Sequence, residues 1–330
     1  MATSEPATAG IPPRTPPGPL RRILPLIGLA LLAWILSRQD GDAMASAVSR
    51  ISLPALLTAG ALFTANLGVK ALRWHRLLRA QGHPLPLGTT VPAFFAGQFY
   101  GQVTFGRLGE FYRAEALTAR GVPAGRALSS CMFDRVLDLM LVVCLGAVLG
   151  ALVLGDHDIT WAAATLAVFM VGGALGAIAL KQTPRFIAMW RTVPSTPDSG
   201  RLERLRNVIY GMLEASAELL RPAVLVEAAV WTCAAWLGYF AALWTLAAGL
   251  GISVGPVLLT TAACMAALSA LLPITVSGLG ARELIYAEML ATGSVDSEVA
   301  VVLSLLHLAV MSASAIGFGL LGVLVQRRSS

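Results

Sequence analysis

"GTTVPAFFAGQFYGQVTF", residues 88–105, is apolar enough to enter a bilayer but is interrupted by Gly88, Pro92, Gly97 and Gly101, with Gly106 just beyond. Proline removes a helical hydrogen bond and glycine weakens or re-aims a helix. A polar line follows at once: "GRLGEFYRAEAL", Gly106 to Leu117, sets Arg107, Glu110, Arg113 and Glu115 close together. Two readings compete. The pair is either a crossing helix with a loop behind it, or a re-entrant hairpin that enters and leaves by one face. The choice decides the fold.

The rest of the chain narrows that choice. Of 330 residues, 56% are hydrophobic and 13% charged, with a mean hydropathy of +0.74. Soluble domains carry about 25% charged residues, and several stretches here reach the ~20 apolar residues that cross a bilayer. The chain therefore reads as an all-α polytopic membrane protein. Its net charge of +6 is then assigned to arginines on the cytoplasmic side, and no nucleic-acid partner is expected. Cys131, Cys144, Cys233 and Cys264 stand apart in apolar segments and read as small packing residues, without zinc spacing. Residues 1–19 read as a disordered Pro-rich leader without a cleavable signal peptide, and 20–328 as one membrane domain.

Six full spans are expected near 23–37, 53–74, 127–154, 159–180, 223–249 and 299–325. The first is short and calls for flanking residues or local thinning. A second interrupted segment, 254–280, carries Gly255, Pro256, Pro273, Gly278 and Gly280. If both interrupted segments are re-entrant, as hairpins over about 88–121 and 254–293, both termini and the 181–221 loop are cytoplasmic. All but Arg38, Arg50, Arg135 and Arg282 of the 24 Lys and Arg residues then fall inside. Lys70, Arg73, Arg76 and Arg79 are counted in the inner loop after the second span. Reading both segments as full crossings turns the 181–221 loop and its seven basic residues outward, against the positive-inside rule.

The two interrupted segments also resemble each other. Thr104-Phe105-Gly106-Arg107-Leu108-Gly109 aligns with Thr275-Val276-Ser277-Gly278-Leu279-Gly280, and Ala114-Glu115-Ala116-Leu117 with Ala287-Glu288-Met289-Leu290. Three full spans separate them, so the second copy enters from the opposite face. Paired Gly/Pro-interrupted segments of opposite orientation mark inverted-repeat transporters, whose sites lie near the midplane. The competing explanation is a pair of amphipathic helices at opposite interfaces.

Charged residues in the apolar body are the candidates for function. "FDRVLDLML" places Asp134 and Asp138 four apart on one helix face with Arg135 between them. This cluster reads either as a helix-end ion pair or as a partner for Glu110, Glu115 or a lipid phosphate. Arg107 and Arg113 are phosphate candidates, because guanidinium forks match phosphate oxygens and Gly106 and Gly109 let backbone approach. Arg282, after Gly278 and Gly280, takes the same part in the second copy. Glu110, Glu115, Glu283 and Glu288 read as counter-ions to these arginines, with proton carriage as the alternative. His307, His75, Glu227 and Asn66 are isolated and read as packing partners. "RLERLRNVIYGMLEASAELL", 201–220, reads as a cytoplasmic amphipathic helix on anionic headgroups. No P-loop, metal-ligand cluster or nucleophile triad emerges, so neither catalytic residue, metal nor cofactor is expected.

Three motifs in order resemble those of a known family. "GRLGEFYRA" (106–114), "DRVLDL" (134–139) and "LPITVSGLGARE" (272–283) are similar to motifs of the transmembrane, flippase-like region of bacterial lysylphosphatidylglycerol synthases, a family with many stand-alone members. Phe105 stands where that family often has proline. The resemblance implies a lipid translocator, flippase or scramblase, in the bacterial cytoplasmic membrane. Its expected cargo is a polar-headgroup lipid such as an aminoacylated phospholipid or a lipid-linked sugar. The expected partners are lipids with anionic or phosphate-containing headgroups, and beyond them a second copy of the chain or a lipid-modifying enzyme. No aminoacyl-transferase sequence follows Ser330, so lipid synthesis is not expected of this chain. The alternative is a membrane enzyme or accessory subunit in lipid-linked glycosyl or aminoacyl transfer.

Overall fold

The computed structural model describes residues 19–102, 104–154, 200–270 and 278–328, and all regular structure among them is helical. Helix α1 (Pro19–Ser37) starts on the last proline of the leader, a residue suited to a first helical turn. Helix α2 (Gly41–Arg50) is capped by Asp40, whose carboxylate accepts from the Asp42 N–H at 2.9 Å. Helix α3 (Leu53–Ala80) is capped by the Ser52 hydroxyl and has Pro54 in its first turn. There follow α4 (Leu87–Gln102), a 3-10 segment (Phe105–Phe111), α5 (Tyr112–Thr118), α6 (Ala124–Leu154), α7 (Gly200–Leu219), α8 (Pro222–Gly249), α9 (Pro256–Ser269), α10 (Ala281–Ala291) and α11 (Ser297–Arg328).

Among the described residues four helices are long and apolar enough to cross a membrane: Leu53–Ala80, Ala124–Val153, Pro222–Gly249 and Ser297–Gln326. The 23–37 segment lies within α1, a helix of 19 residues. The 159–180 segment, the loop to residue 199, residues 1–18 and residues 271–277 lie outside the described residues. The exterior of the long helices is apolar, with Leu53, Leu57, Leu152, Val230, Leu237 and Leu321 exposed, while Arg73, Arg113, Asp134 and Arg282 are buried. Charge inside and leucine outside is the inverse of a water-soluble fold and suits a hydrocarbon surround.

The broken segment after α3 folds back on itself. Gly97 of α4 lies where a Cβ would stand 2.9 Å from the Glu110 carbonyl, and a Cβ on Gly101 would meet the Glu110 side chain at 2.5 Å. Gly109 in turn lies against the Tyr100 backbone. Residues 97 to 101 thus pair antiparallel with 109 to 113, and the glycines are what let the two limbs touch. Gly97→Val should open this contact at a cost of about 1–3 kcal/mol, read as a lowered unfolding midpoint in detergent. The second broken segment packs α9 against α10, with Gly293 against Val254 and Leu258 and Gly278 against Ala270.

Helix α11 touches both fold-backs. Near its C-terminal end Gly322 faces Pro92 and Ala96, and Gly319 faces Phe95 and Phe99. Near its N-terminal end Ser304 and His307 meet Arg282 and Tyr286 of α10. The open end of the first hairpin therefore lies at one end of α11 and that of the second at the other.

Candidate functional site

Asp134 and Asp138 sit one turn apart on α6 and face α3. Arg73, fully buried, reaches Asp134 Oδ1 at 2.7 Å and Asp138 Oδ1 at 2.8 Å, and donates to the Thr232 hydroxyl of α8 at 2.7 Å. Lys70, one turn earlier on α3, pairs with Asp138 Oδ2 at 2.7 Å. Trp236 Nε1 of α8 donates to Asp138 Oδ1 at 3.1 Å. The second oxygen of Asp134 is taken by Arg113 of α5 at 2.9 Å. One carboxylate on α6 thus ties α3 to the first hairpin. Arg113 is buried, donates to the Cys131 carbonyl at 3.3 Å, and lies 5.0 Å from the Trp74 ring centre and 5.3 Å from that of Phe94. Arg135 completes the cluster by pairing with Glu110 Oε1 at 2.6 Å.

Part of this cluster forms one wall of a cavity of about 340 Å³. Lys70, Glu110, Asp134, Arg135 and Asp138 line it, with Asn66, Gln98, Gln102, Trp236 and Tyr239. Gln98 and Gln102 come from the last turns of α4, while Ala266, Ala267, Leu268 and Ala270 come from the end of α9. The C-terminal ends of α4 and α9 therefore converge on one space.

Arg282 of α10 closes the far wall, beside Met311. It is 4% exposed, and its Nε and Nη2 donate to the hydroxyl and carbonyl of Ser304 at 3.1 and 3.0 Å. Among the described residues no carboxylate lies within ion-pair distance of it. Glu283, next in sequence, is fully buried and is joined to Arg282 through the Ser304 hydroxyl that both bind. Its two oxygens accept from the Ser304 hydroxyl at 3.0 Å and from the Gly280 N–H at 2.6 Å. The second contact caps α10.

The expected site residues thus divide. Glu110, Asp134, Arg135, Asp138 and Arg282 line the cavity; Arg113 and Glu283 stand behind it, each holding a liner or a helix end in place. Gly106 and Arg107 belong to the 3-10 segment, and their side-chain surroundings lie outside the described residues. Gly109 donates its N–H to the Thr104 hydroxyl at 2.7 Å. Gly278 and Gly280 take positive φ, 82° and 86°, in the turn before α10. A Cβ on Gly280 would meet Gly28 and Leu31 of α1, so this glycine faces helix packing instead of the cavity. Glu115 and Glu288 are exposed.

Sequence reasoning missed Lys70, Arg73, Asn66, Trp236 and the glutamines. Lys70 and Arg73, counted in an inner loop, lie inside α3. The signal was present: Asn66, Lys70 and Arg73 are spaced four and three apart, one face of a helix. The isolated residues find partners. Asn66 donates to the Ala235 carbonyl at 2.5 Å, Glu227 pairs at the surface with Arg76 at 3.6 Å, His75 Nδ1 meets the Thr90 hydroxyl at 3.0 Å, and His307 Nδ1 meets the Tyr286 hydroxyl at 3.3 Å. The 200–220 helix, α7, packs on the start of α6 through Gly125 against Gly211 and through the Arg126–Glu218 pair at 2.9 Å.

A family model described as "Lysylphosphatidylglycerol synthase TM region" matches residues 23–318. No curated protein and no solved structure matches the chain.

Proposed function

The chain belongs to the family of the lysylphosphatidylglycerol synthase transmembrane region, and from that premise we propose that it is a lipid translocator, moving a polar-headgroup lipid between the leaflets of a bacterial cytoplasmic membrane. The observation that carries this reading is the cavity. A charged, hydrogen-bonding space of about 340 Å³ lies inside a helical body whose outer face is leucine and valine. A headgroup crossing hydrocarbon alone meets a large desolvation cost, and fixed polar groups in an interior cavity lower it. The acyl chains need no cavity, because the bilayer solvates them.

The hairpins suit this role. Helix α4 has 16 residues and α9 has 14; at 1.5 Å per residue these are ~24 and ~21 Å long, short of the ~30 Å hydrocarbon core. We read both as re-entrant, entering from opposite faces as an inverted repeat and meeting at the cavity. Gly and Pro breaks are then tolerated because the exposed backbone faces a polar space. Among the described residues the cavity carboxylates Glu110, Asp134 and Asp138 are all engaged by cations, which favours transport over acid–base catalysis as against the enzyme or accessory-subunit alternative.

Purified protein in vesicles containing a fluorescent phospholipid should expose inner-leaflet label to an external quencher faster than empty vesicles do. Equal rates would remove the translocator reading. Topology is checked separately. With both termini and the 181–221 loop inside, Glu214→Cys on α7, in a background with the native cysteines replaced by alanine, should resist an impermeant maleimide in intact cells. It should label once the membrane is opened, and efficient labelling in intact cells would overturn the re-entrant topology.

A further inference from the structure

The first hairpin is joined to α6 by two ion pairs of opposite sense. Arg113 of α5 pairs with Asp134 at 2.9 Å, and Glu110 of the 3-10 segment pairs with Arg135 at 2.6 Å. Neighbours on α6 thus hold two residues one turn apart on the hairpin. From the unequal surroundings of these pairs, and resting on the translocator reading for what passes, we propose that Arg113–Asp134 is a pivot and Arg135–Glu110 a latch. Its release swings the 3-10 segment away from α6 and opens the cavity at its side.

The pivot is fixed from several directions. Arg113 is 1% exposed and is held by the Cys131 carbonyl and by the rings of Trp74 and Phe94. The other oxygen of Asp134 is held by Arg73. Separating this pair strands two buried charges. The latch differs. The Arg135 side chain is 23% exposed, and a long cationic side chain at a surface turns to polar surroundings when released. Glu110 lines the cavity beside Gln98 and Gln102, so its carboxylate keeps polar neighbours when the pair parts.

The backbone suits the movement. The 3-10 segment runs for seven residues, Phe105–Phe111, whereas runs longer than about four are uncommon and often mark a hinge. The Glu110 carbonyl lies over Gly97 and its side chain over Gly101, so the segment moves across a surface without side chains. Met132 and Val136 flank Arg135 on α6. Both line the cavity, yet they are 45% and 44% exposed. The cavity wall and the outer surface therefore meet at the latch, and these apolar side chains suit an acyl chain whose headgroup lies within.

Opening is measured in detergent, apart from lipid movement. Ala266, 3% exposed, lines the cavity from α9. Ala266→Cys, with the native cysteines replaced by alanine, is treated with a water-soluble maleimide. Glu110→Gln and Arg135→Gln should each speed labelling about tenfold or more, the effect of losing one charge-assisted contact. The double variant should match the single ones, because all three lose the same contact. Cys131, fully buried beside the pivot, is the second reporter, kept as the sole cysteine in a parallel set. Its labelling should stay slow in all three variants. Unchanged labelling at Ala266→Cys, multiplied effects in the double variant, or equal acceleration at Cys131 would each overturn the proposal, the last because the whole body then loosens. Latch behaviour in detergent with no movement of lipid in vesicles would remove the translocator reading and leave the latch standing.

Discussion

Asp134→Ala should lower stability by about 3–5 kcal/mol, the usual cost of removing one partner from a buried ion pair. The reason is geometric. Each oxygen of this carboxylate holds a different buried guanidinium, Arg73 of α3 at 2.7 Å and Arg113 of α5 at 2.9 Å. Arg73 retains Asp138, but Arg113 is left with the Cys131 carbonyl and the faces of Trp74 and Phe94. The first hairpin then loses its charged tether to the long helices. The variant should unfold at lower temperature in detergent, and protease should cut within 87–118 before it cuts elsewhere. Asp134→Leu combined with Arg113→Met should recover part of the loss, because it removes the stranded charge along with its partner. A loss below about 1 kcal/mol in the single variant would mean that water reaches the pair and that Asp134 is no tether.

Ala267→Trp should reduce lipid movement to the level of empty vesicles while the protein remains folded. Ala267 lines the cavity from the last turn of α9. An indole there occupies a large part of the 340 Å³. The fold is spared because the side chain grows into open space, unlike an overpacked core. The comparison is Leu237→Trp on the exposed face of α8, which adds the same bulk against lipid and should leave movement unchanged. Full activity of Ala267→Trp at normal folded yield would show that headgroups travel by another route.

Much of the fold is legible in the chain because hydrocarbon imposes simple rules. Length and apolarity alone mark 53–74, 127–154, 223–249 and 299–325, and glycines and prolines mark the two interrupted segments. The Asp134–Arg135–Asp138 cluster stands out because charge is costly in such surroundings. Depth is less legible. Lys70 and Arg73 read as basic residues of a loop after the second span, yet the helix continues to Ala80 and carries Arg73 into full burial. Counting charges along a chain does not report how far a helix continues past them. Rotation is less legible still. Arg113 and Arg282 follow matching motifs, but Arg113 comes after a 3-10 segment that changes to α-helix at Tyr112, and this sets its direction towards Asp134. Arg282 starts a helix directly and faces the cavity. The glycines before it read as openings for a ligand, whereas Gly280 admits α1.

Helix α11 grips the second hairpin near Ser304 and His307 and bears on the first through Gly319 and Gly322. A rod held at two points behaves as a lever. Its small residues at one hold let the surfaces slide, whereas the hydrogen bonds at the other fix direction. A tilt of α11 about one hold shifts the other, so the two hairpins are mechanically coupled rather than independent. On the translocator reading, hairpins coupled in this way do not loosen together, and an open aqueous leak through the membrane is what a cell can least tolerate.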